Sequence, residues 1–412
     1  MVVKEIPMAR FLIASIIVAF SAASAAGDTV LDDWTHRERS LINAMLIDNL
    51  GPPRPDPSNK HADNLGAAEL GEKIFNDNRF SANGEVSCAR CHRADYNFTD
   101  DLPRARGLGT TVRRSMPATS MAYQRWFFWD GRKDSSWAQA LEPLENPVEH
   151  GISRTRVVQL VYEYYREPYQ AAIGPLPDMD PFAFSPLARP ASNDMTALEL
   201  WHAIPDEQRD QITFVYVNIG KVLASFVRTL KPTPTPFDKY ARALAAGDAE
   251  GMGSLTRQQK QGLRLFMNKA KCINCHNGPL LTNGEFHHVG IPDEGEPDRG
   301  RAEAIETVAS DEFGCLSQWS DADPKKDCNH VRFLKSGSVN YERAFKTPGL
   351  RNVATRSPYM HAGQFVSLSE VLTNYRDVSG KILTDEIFHN DLSDEELKQL
   401  EAFLNALTSV ET

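Results

Sequence analysis

The chain has 412 residues, of which 41% are hydrophobic, and its formal net charge is −10. A chain of this length can bury two hydrophobic cores. The acidic balance argues against nucleic acid as a partner, so a protein partner would dock through a local patch instead.

The first 26 residues have the features of an export signal. Lys4 and Arg10 supply positive charge, an apolar run follows over residues 11–20, and small residues at 24–26 offer a cleavage site. The apolar run is too short to span a bilayer comfortably, and an uncleaved anchor is the alternative. We therefore expect export, with no stable membrane insertion after the signal is cleaved.

A helix and a proline-rich connector follow the export signal. Residues 34–50 have helical periodicity and end at Gly51, and residues 52–57 contain four prolines, which favours a stiff extended segment. We predict that residues 27–66 form an N-terminal arm packed on the body of the protein. A short helix over residues 67–75 then leads to the first of two cysteine motifs.

Each cysteine motif has two thiols separated by two residues and followed at once by a histidine. The motifs are Cys88-Ala-Arg-Cys91-His92 and Cys272-Ile-Asn-Cys275-His276. This spacing is the attachment signature of a c-type haem, in which the thiols bond the haem and the histidine binds its iron. A redox dithiol or half of a zinc site is an alternative for one motif, but two motifs make coincidence a poor explanation. The sequence therefore predicts two covalently attached c-type haems.

The residues that precede the two motifs are similar, and this similarity predicts two related domains. Gly71, Ile74 and Phe75 precede the first motif as Gly262, Leu265 and Phe266 precede the second. Thr256 and Gln259 form a capping-box pattern at the start of the second helix. Alternating prolines over residues 231–236 indicate a spacer.

The expected fold class is mostly α, with two cytochrome-c-like haem domains, an N-terminal arm and long loops. The domains are placed at residues 67–236 and at residues 237–412, with one haem motif in each. A helix over residues 394–407 buries one apolar face and packs on one of the domains.

Two cysteines remain after the haem motifs are assigned. Cys315 and Cys328 lie thirteen residues apart in a polar insertion rich in Asp and Lys. In an oxidising compartment, such a pair forms a disulfide that closes a loop with little core of its own. Two free thiols are the alternative.

The residues opposite each histidine decide what each iron does. An iron with an open side binds peroxide or oxygen, whereas an iron with two strong protein ligands transfers electrons. No histidine lies between His92 and Glu149, and Met116 and Met121 lie close to Pro117 in a structural stretch. We therefore predict that the first haem has no distal protein ligand. Met360, His361, His287 and His288 are the candidates opposite the second haem.

Four further stretches resemble the bacterial di-haem cytochrome c peroxidase and MauG family, and within it the branch of MauG and MbnH. Taken alone, the aromatic cluster at 126–129 is typical of core, and Glu149 is equally compatible with a surface carboxylate. The matching stretches are Phe128-Trp129-Asp130-Gly131-Arg132, Asn146-Pro147-Val148-Glu149, residues 345–352 and residues 358–363. The resemblance covers nearly the whole mature chain.

This resemblance implies roles for particular residues. In the family, the matching tryptophan, here Trp129, lies between the haems, and the residues matching Gln139, Pro143 and Glu149 line the peroxide pocket. Glu149 would then move a proton between the two peroxide oxygens. The distal ligand of the second haem lies fourteen residues after the histidine of the Pro-Tyr-x-His motif, which is Tyr375 here, and Met360 is the alternative.

The resemblance also implies a calcium ion between the haems. The family binds it with an asparagine side chain and two backbone carbonyls. The carbonyl positions fall on Arg356 and Pro358, and Ser115 stands where the family has asparagine. A serine hydroxyl is a poorer ligand than an amide oxygen, so this chain departs from the family at that position.

The function implied is a periplasmic di-haem oxidoreductase that reacts with hydrogen peroxide. It would form a high-valent state of bis-Fe(IV) type and oxidise a residue of a partner protein, a tryptophan in the branch it resembles, over a long distance. One alternative is a cytochrome c peroxidase that takes electrons from a small cytochrome or cupredoxin. The other is a di-haem electron carrier without enzymatic activity.

Overall fold

The computed structural model describes residues 31–190, 193–293, 295–334, 341–378 and 391–409, and the chain is mostly helical, as predicted. The predicted signal at residues 1–26 lies outside the described residues. The first eight helices are α1 (His36–Ala44), α2 (Leu65–Phe75), α3 (Cys88–Cys91), α4 (Ser136–Glu145), α5 (Arg154–Tyr164), α6 (Arg166–Ala172), α7 (Met195–His202) and α8 (Asp206–Val227). The later helices are α9 (Pro236–Ala246), α10 (Arg257–Met267), α11 (Arg301–Thr307), α12 (Asn329–Arg332), α13 (Leu368–Val378) and α14 (Asp394–Asn405).

A small antiparallel sheet accompanies the helices. It pairs β1 (Phe286–His287) with β2 (Phe345–Lys346), with Phe286 opposite Lys346. Across the described ranges, no helix combines the length and the apolar character needed to cross a membrane.

The first hydrophobic core is built where α2, α4 and α8 cross. Its centre is formed by fully buried side chains that include Trp137, Tyr216 and Ile219. Gly71 lets α2 approach α8 closely, because a Cβ atom at this position would lie 2.0 Å from the Val222 carbonyl oxygen. This core supports the segment that carries the first cysteine motif.

In the second hydrophobic core, α10 and α14 also cross closely at a glycine. A Cβ atom at Gly262 would lie 1.9 Å from the Gln399 carbonyl oxygen, so this glycine also permits a close helix crossing. Phe266 and Phe403 pack edge to face beside it, with ring centroids 5.2 Å apart. Gly71 and Gly262, which stand at matching positions before the two cysteine motifs, therefore each permit a close helix crossing in one of the cores. The predicted capping box of Thr256 and Gln259 is confirmed at the start of α10.

The helix of the N-terminal arm packs on the second core, but it is shorter than predicted. The sequence predicted a helix over residues 34–50, whereas α1 ends at Ala44 and a separate 3₁₀ turn covers Ile47–Asn49. The helix ends because the Ile47 amide donates to the buried Asp238 carboxylate at 2.9 Å. The Met45 carbonyl accepts from Arg351, the ion-pair partner of Asp238. A tertiary ion pair therefore overrides local periodicity.

The spacer and the insertion connect the two cores. Residues 231–235 are not helical, and α9 begins at Pro236 with a capping box formed by Thr235 and Asp238. Cys315 and Cys328 form the predicted disulfide. Phe313 of the insertion packs against Trp137 in the first core, so the later part of the chain also contributes to that core. The domain boundary at residues 236 and 237 stays a prediction.

Candidate active site

The first cysteine motif lies on the one-turn helix α3. The Cys88 and Cys91 thiols are outside any disulfide, and burial raises their pKa values to about 12 and about 11. His92 follows the helix, and its Nδ1 lies 2.9 Å from the Phe98 carbonyl oxygen. A backbone carbonyl that accepts from Nδ1 leaves Nε2 as the ligand atom for a metal. Burial also lowers the pKa of His92, which keeps the imidazole in its neutral, metal-binding form.

The second motif has the same local design. Cys272–Asn274 form a 3₁₀ turn, and Nδ1 of His276 lies 3.1 Å from the Leu281 carbonyl oxygen. Burial lowers the pKa of His276 to about 4. Paired thiols and an oriented neutral imidazole at both places are the donor set that a c-type haem requires.

An apolar cavity of about 230 Å³ adjoins the second motif. Cys272, Cys275 and His276 line it together with Tyr375 and Met360. Tyr375 projects from α13, and its pKa is raised by burial first and then by the two nearby thiols. Tyr375 and Met360 therefore reach the same cavity, whose apolar lining suits a haem. The candidates His287 and His361 also line it.

Trp129 lies at the edge of this cavity and is fixed by two backbone contacts. Its indole Nε1 donates to the Arg114 carbonyl at 3.1 Å, and its own carbonyl accepts from the Lys346 amide at 2.8 Å. Gly131 follows in a left-handed conformation (φ 71°), and a Cβ atom there would lie 2.3 Å from the Phe286 ring. The glycine of this motif therefore allows the turn that places the Trp129 ring.

A chain of charges leads from the Trp129 motif toward Glu149. Asp130 is paired with Arg113 and with Arg132, and the Arg132 Nε donates to Glu142 at 2.8 Å. Glu142 in turn raises the pKa of Glu149, which Arg132 lowers. The neighbouring motif thus sets the electrostatic surroundings of the predicted proton-transfer residue.

Glu149 is a buried carboxyl with a strongly raised pKa. Burial is the main cause, followed by the charge of Glu142, and together they raise the pKa to about 7. Asn146 donates to Glu149 Oε1 at 2.7 Å. The Glu149 carboxylate contributes to the raised pKa values of Cys88 and Cys91, which places it beside the first motif. A carboxyl with a pKa near neutrality can both accept and return a proton.

The backbone around Glu149 is held by an extended loop. The Glu149 carbonyl accepts from the Leu108 amide at 2.9 Å, and the Val148 carbonyl accepts from the Gly109 amide at 2.9 Å. Gly107 is required for this approach, since a Cβ atom there would lie 2.4 Å from the Glu149 carbonyl oxygen.

Gln139 and Pro143 lie one helical turn apart on α4, on the same side as Glu142. Pro143 has no amide hydrogen, so it removes the donor that would otherwise bond the Gln139 carbonyl. Within the described ranges, the Gln139 side chain has no hydrogen-bond partner, and it is only partly buried. Its amide is therefore available to a small polar ligand.

The structure also brings in residues that the sequence did not single out. Arg113 and Arg114 precede Ser115, and Arg132 belongs to the Trp-Asp-Gly-Arg motif, yet none of the three was given a role. The sequence signal that could have identified these residues is the occurrence of arginines next to predicted ligand positions. Two of them have partners far away in sequence, because Arg113 pairs with Asp298 and Arg114 donates to the Arg356 carbonyl.

The predicted calcium donors do not fit a calcium ion. The Arg356 carbonyl accepts from the Arg114 guanidinium at 2.8 Å, and the Ser115 hydroxyl donates to the Asp100 carboxylate at 3.0 Å. Two of the three predicted donors are thus engaged inside the protein. Hard cations need oxygen ligands whose lone pairs point at the ion.

Comparison with known proteins identifies the family. Residues 66–246 match the family model described as di-haem cytochrome c peroxidase. The chain is 30% identical to the methylamine utilization protein MauG of Methylorubrum extorquens over 82% of its length and 77% of that protein. The chain belongs to the di-haem cytochrome c peroxidase family. It is therefore a peroxidase-type oxidoreductase, and the family implies two c-type haems.

Two further similarities bear on the branch and the fold. The chain is 28% identical to the cytochrome-c peroxidase IdrP1 of Denitromonas iodatirespirans over 98% of its length and 93% of that protein. It is similar in structure to a MauG-like protein associated with microbial copper homeostasis, with a TM-score of 0.59, 22% identity, and coverage of 87% of this chain and 93% of that one. The structural similarity confirms the predicted helical fold, and the 30% identity to MauG supports the MauG-type branch.

Proposed function

We propose that this protein uses hydrogen peroxide to oxidise a residue of a partner protein in the periplasm, with tryptophan as the target. The observation that carries the proposal is the position of Tyr375 in the cavity of the second motif. A phenolate ligand is anionic and favours the more oxidised state of an iron, whereas a thioether favours the reduced state. Tyr375 therefore suits a centre that stores oxidising equivalents and suits an electron-accepting centre less well.

Glu149 supplies the proton chemistry in this proposal. When bound at His92, the haem iron supplies the centre at which the peroxide O–O bond breaks. Ionised Glu149 takes the proton from one peroxide oxygen and returns it to the oxygen that leaves as water. Gln139 orients the peroxide by hydrogen bonding, and Pro143 shapes the same side of α4.

Trp129 is the proposed route for charge between the two centres. Its ring reaches the second cavity, and the motif that carries it is joined through Asp130 and Arg132 to the surroundings of Glu149. An aromatic ring that is fixed at both its indole nitrogen and its backbone keeps one geometry while electrons pass.

The overall reaction balances with one peroxide per target residue. Hydrogen peroxide takes up two electrons and two protons and becomes two waters. Oxidation of a tryptophan to a hydroxytryptophan consumes one water and releases the same two electrons and two protons. The net change is peroxide plus tryptophan giving hydroxytryptophan plus water. The similarity to a MauG-like protein linked to copper homeostasis motivates a search among copper-binding partners.

The proposal is tested by incubating the oxidised holoprotein with periplasmic extract and hydrogen peroxide. Mass spectrometry should find a tryptophan that gains one oxygen in one or few proteins. The modification should be absent when peroxide is omitted, and it should form at least about ten-fold more slowly when Glu149→Gln replaces the wild type. Indiscriminate oxidation of many proteins, or the same rate of modification with Glu149→Gln, would contradict the proposal.

A cytochrome c peroxidase is the second candidate function. Met360 lines the same cavity as Tyr375, and a relative of similar length is named a cytochrome-c peroxidase. In that case, a small reduced cytochrome should be oxidised rapidly when peroxide is added, and the oxidised protein alone should not react. The electron carrier without enzymatic activity leaves buried Glu149 without a role.

A further inference from the structure

Arg114 carries a buried guanidinium between the segments of the two haem motifs. The residue is 7% exposed. Its Nη1 donates to the Arg356 carbonyl at 2.8 Å, and its Nη2 donates to the Asp100 carbonyl at 3.1 Å. Asp100 lies eight residues after His92, and Arg356 belongs to the segment that lines the second cavity. The guanidinium thus bonds the two halves of the site directly.

This guanidinium uses the carbonyl that a calcium ion would need. The Arg356 carbonyl is a predicted calcium ligand, and its oxygen points at Arg114 Nη1 instead. The Ser115 hydroxyl, which stands in for the family asparagine, donates to Asp100 Oδ2 at 3.0 Å. A serine hydroxyl is a poorer calcium ligand than the amide oxygen that stands there in the family, and this hydroxyl is held at Asp100.

The local charge also opposes a divalent cation. The Arg356 guanidinium is itself buried, and it donates to the Asn352 carbonyl at 3.3 Å and to the Gly349 carbonyl at 2.5 Å. Burial and then the charge of Arg114 lower the pKa of Arg356 to about 10, so the two cations lie near each other. Burial lowers the pKa of Arg114, whereas the Asp100 carboxylate raises it and so offsets part of this charge. A calcium ion here would meet two positive groups and one carboxylate.

We propose that the Arg114 guanidinium replaces calcium as the fixed positive charge between the two haem motifs, so that the protein folds and reacts without a calcium ion. The backbone of Arg114 adds a reason for its position. Its amide donates to the His361 carbonyl at 2.9 Å, and its carbonyl accepts from Trp129 Nε1. Arg114 is therefore a positioning residue for the Trp129 ring as well as a cation.

The direct test measures calcium in the holoprotein. Elemental analysis after gel filtration in buffer containing calcium chloride should give well below one calcium per chain. The Tm should be the same with excess EGTA as with excess calcium chloride. One tightly held calcium per chain, or a clear fall in Tm with EGTA, would overturn the proposal.

A double variant tests whether Arg114 occupies a cation position. Arg114→Met combined with Ser115→Asn removes the guanidinium and restores the family amide, so calcium chloride should raise its Tm while magnesium chloride should not. Arg257→Met, at an exposed position, is the matched control and should show no response to calcium. The proposal is wrong if the double variant is as insensitive to calcium as wild type, or if wild type responds as strongly as the variant.

Discussion

Replacing Glu149 with glutamine should slow the reaction with peroxide and remove its pH dependence near neutrality. Glutamine keeps the size of the side chain and can accept the hydrogen bond from Asn146, but it cannot take a proton from peroxide. General acid–base catalysis contributes on the order of 10²–10⁴-fold to a rate. The spectral change after peroxide addition should therefore form at least about ten-fold more slowly in Glu149→Gln.

The same substitution should change stability with pH in a direction fixed by the pKa of Glu149. Burial and Glu142 raise that pKa from 4.5 to about 7, a difference of about 3 kcal/mol. The fold therefore favours the protonated carboxyl. This contribution is complete below about pH 4.5 and is lost as pH rises through about 7. Above about pH 8, Glu149→Gln should be more stable than wild type by up to about 3 kcal/mol, with no gain near pH 4.

Stopped-flow absorbance of the oxidised holoprotein from about pH 5 to 9 measures the rate of the reaction with peroxide. Denaturant unfolding over the same range measures the free energy of unfolding. The wild-type rate should rise with pH through about 7, as Glu149 ionises, whereas the variant should show a flat profile. Glu167→Gln, on the exposed side of α6, is the control and should behave as wild type. An unchanged rate and pH profile in Glu149→Gln would refute the assignment of Glu149 as the base.

Three further predictions follow from the second centre, a helix crossing and the disulfide. Tyr375→Met should raise the reduction potential of the second haem, measured by spectroelectrochemistry, because a thioether favours reduced iron. An unchanged potential would place the ligand elsewhere. Gly262→Ala should lower the free energy of unfolding by about 3 kcal/mol, whereas Gly253→Ala, with open space around it, should be nearly neutral. Replacing Cys315 and Cys328 with serine should cost about 3 kcal/mol in chemical unfolding, and a loss near zero would show that the loop is ordered without the bond.

The sequence was most informative where chemistry is local. The spacing of Cys88, Cys91 and His92 is covalent information, so the haem attachment sites are readable without a fold. The sequence also shows a glycine before each cysteine motif, at matching positions, but it does not show why a glycine is needed there. Only the structure shows that Gly71 and Gly262 each face a carbonyl of a crossing helix.

The sequence was least informative where distant segments meet. The pKa of Glu149 depends on its burial and on Glu142, neither of which local pattern reveals. The Arg114 guanidinium bonds the Arg356 carbonyl, 242 residues later in the chain. That contact is the observation behind our proposal that Arg114 takes the place of a calcium ion. The early end of α1 has the same cause, because long-range partners outweigh local periodicity.

The central claim is that the two haem sites together hold the oxidising power of peroxide until a partner protein is oxidised. The measurement that tests it most directly adds hydrogen peroxide to the fully oxidised holoprotein and follows the absorption spectrum over time. We expect a long-lived spectral change that needs no prior reduction and that decays when the partner is added. A protein that stays unchanged until one electron is supplied would contradict the claim and would indicate a cytochrome c peroxidase.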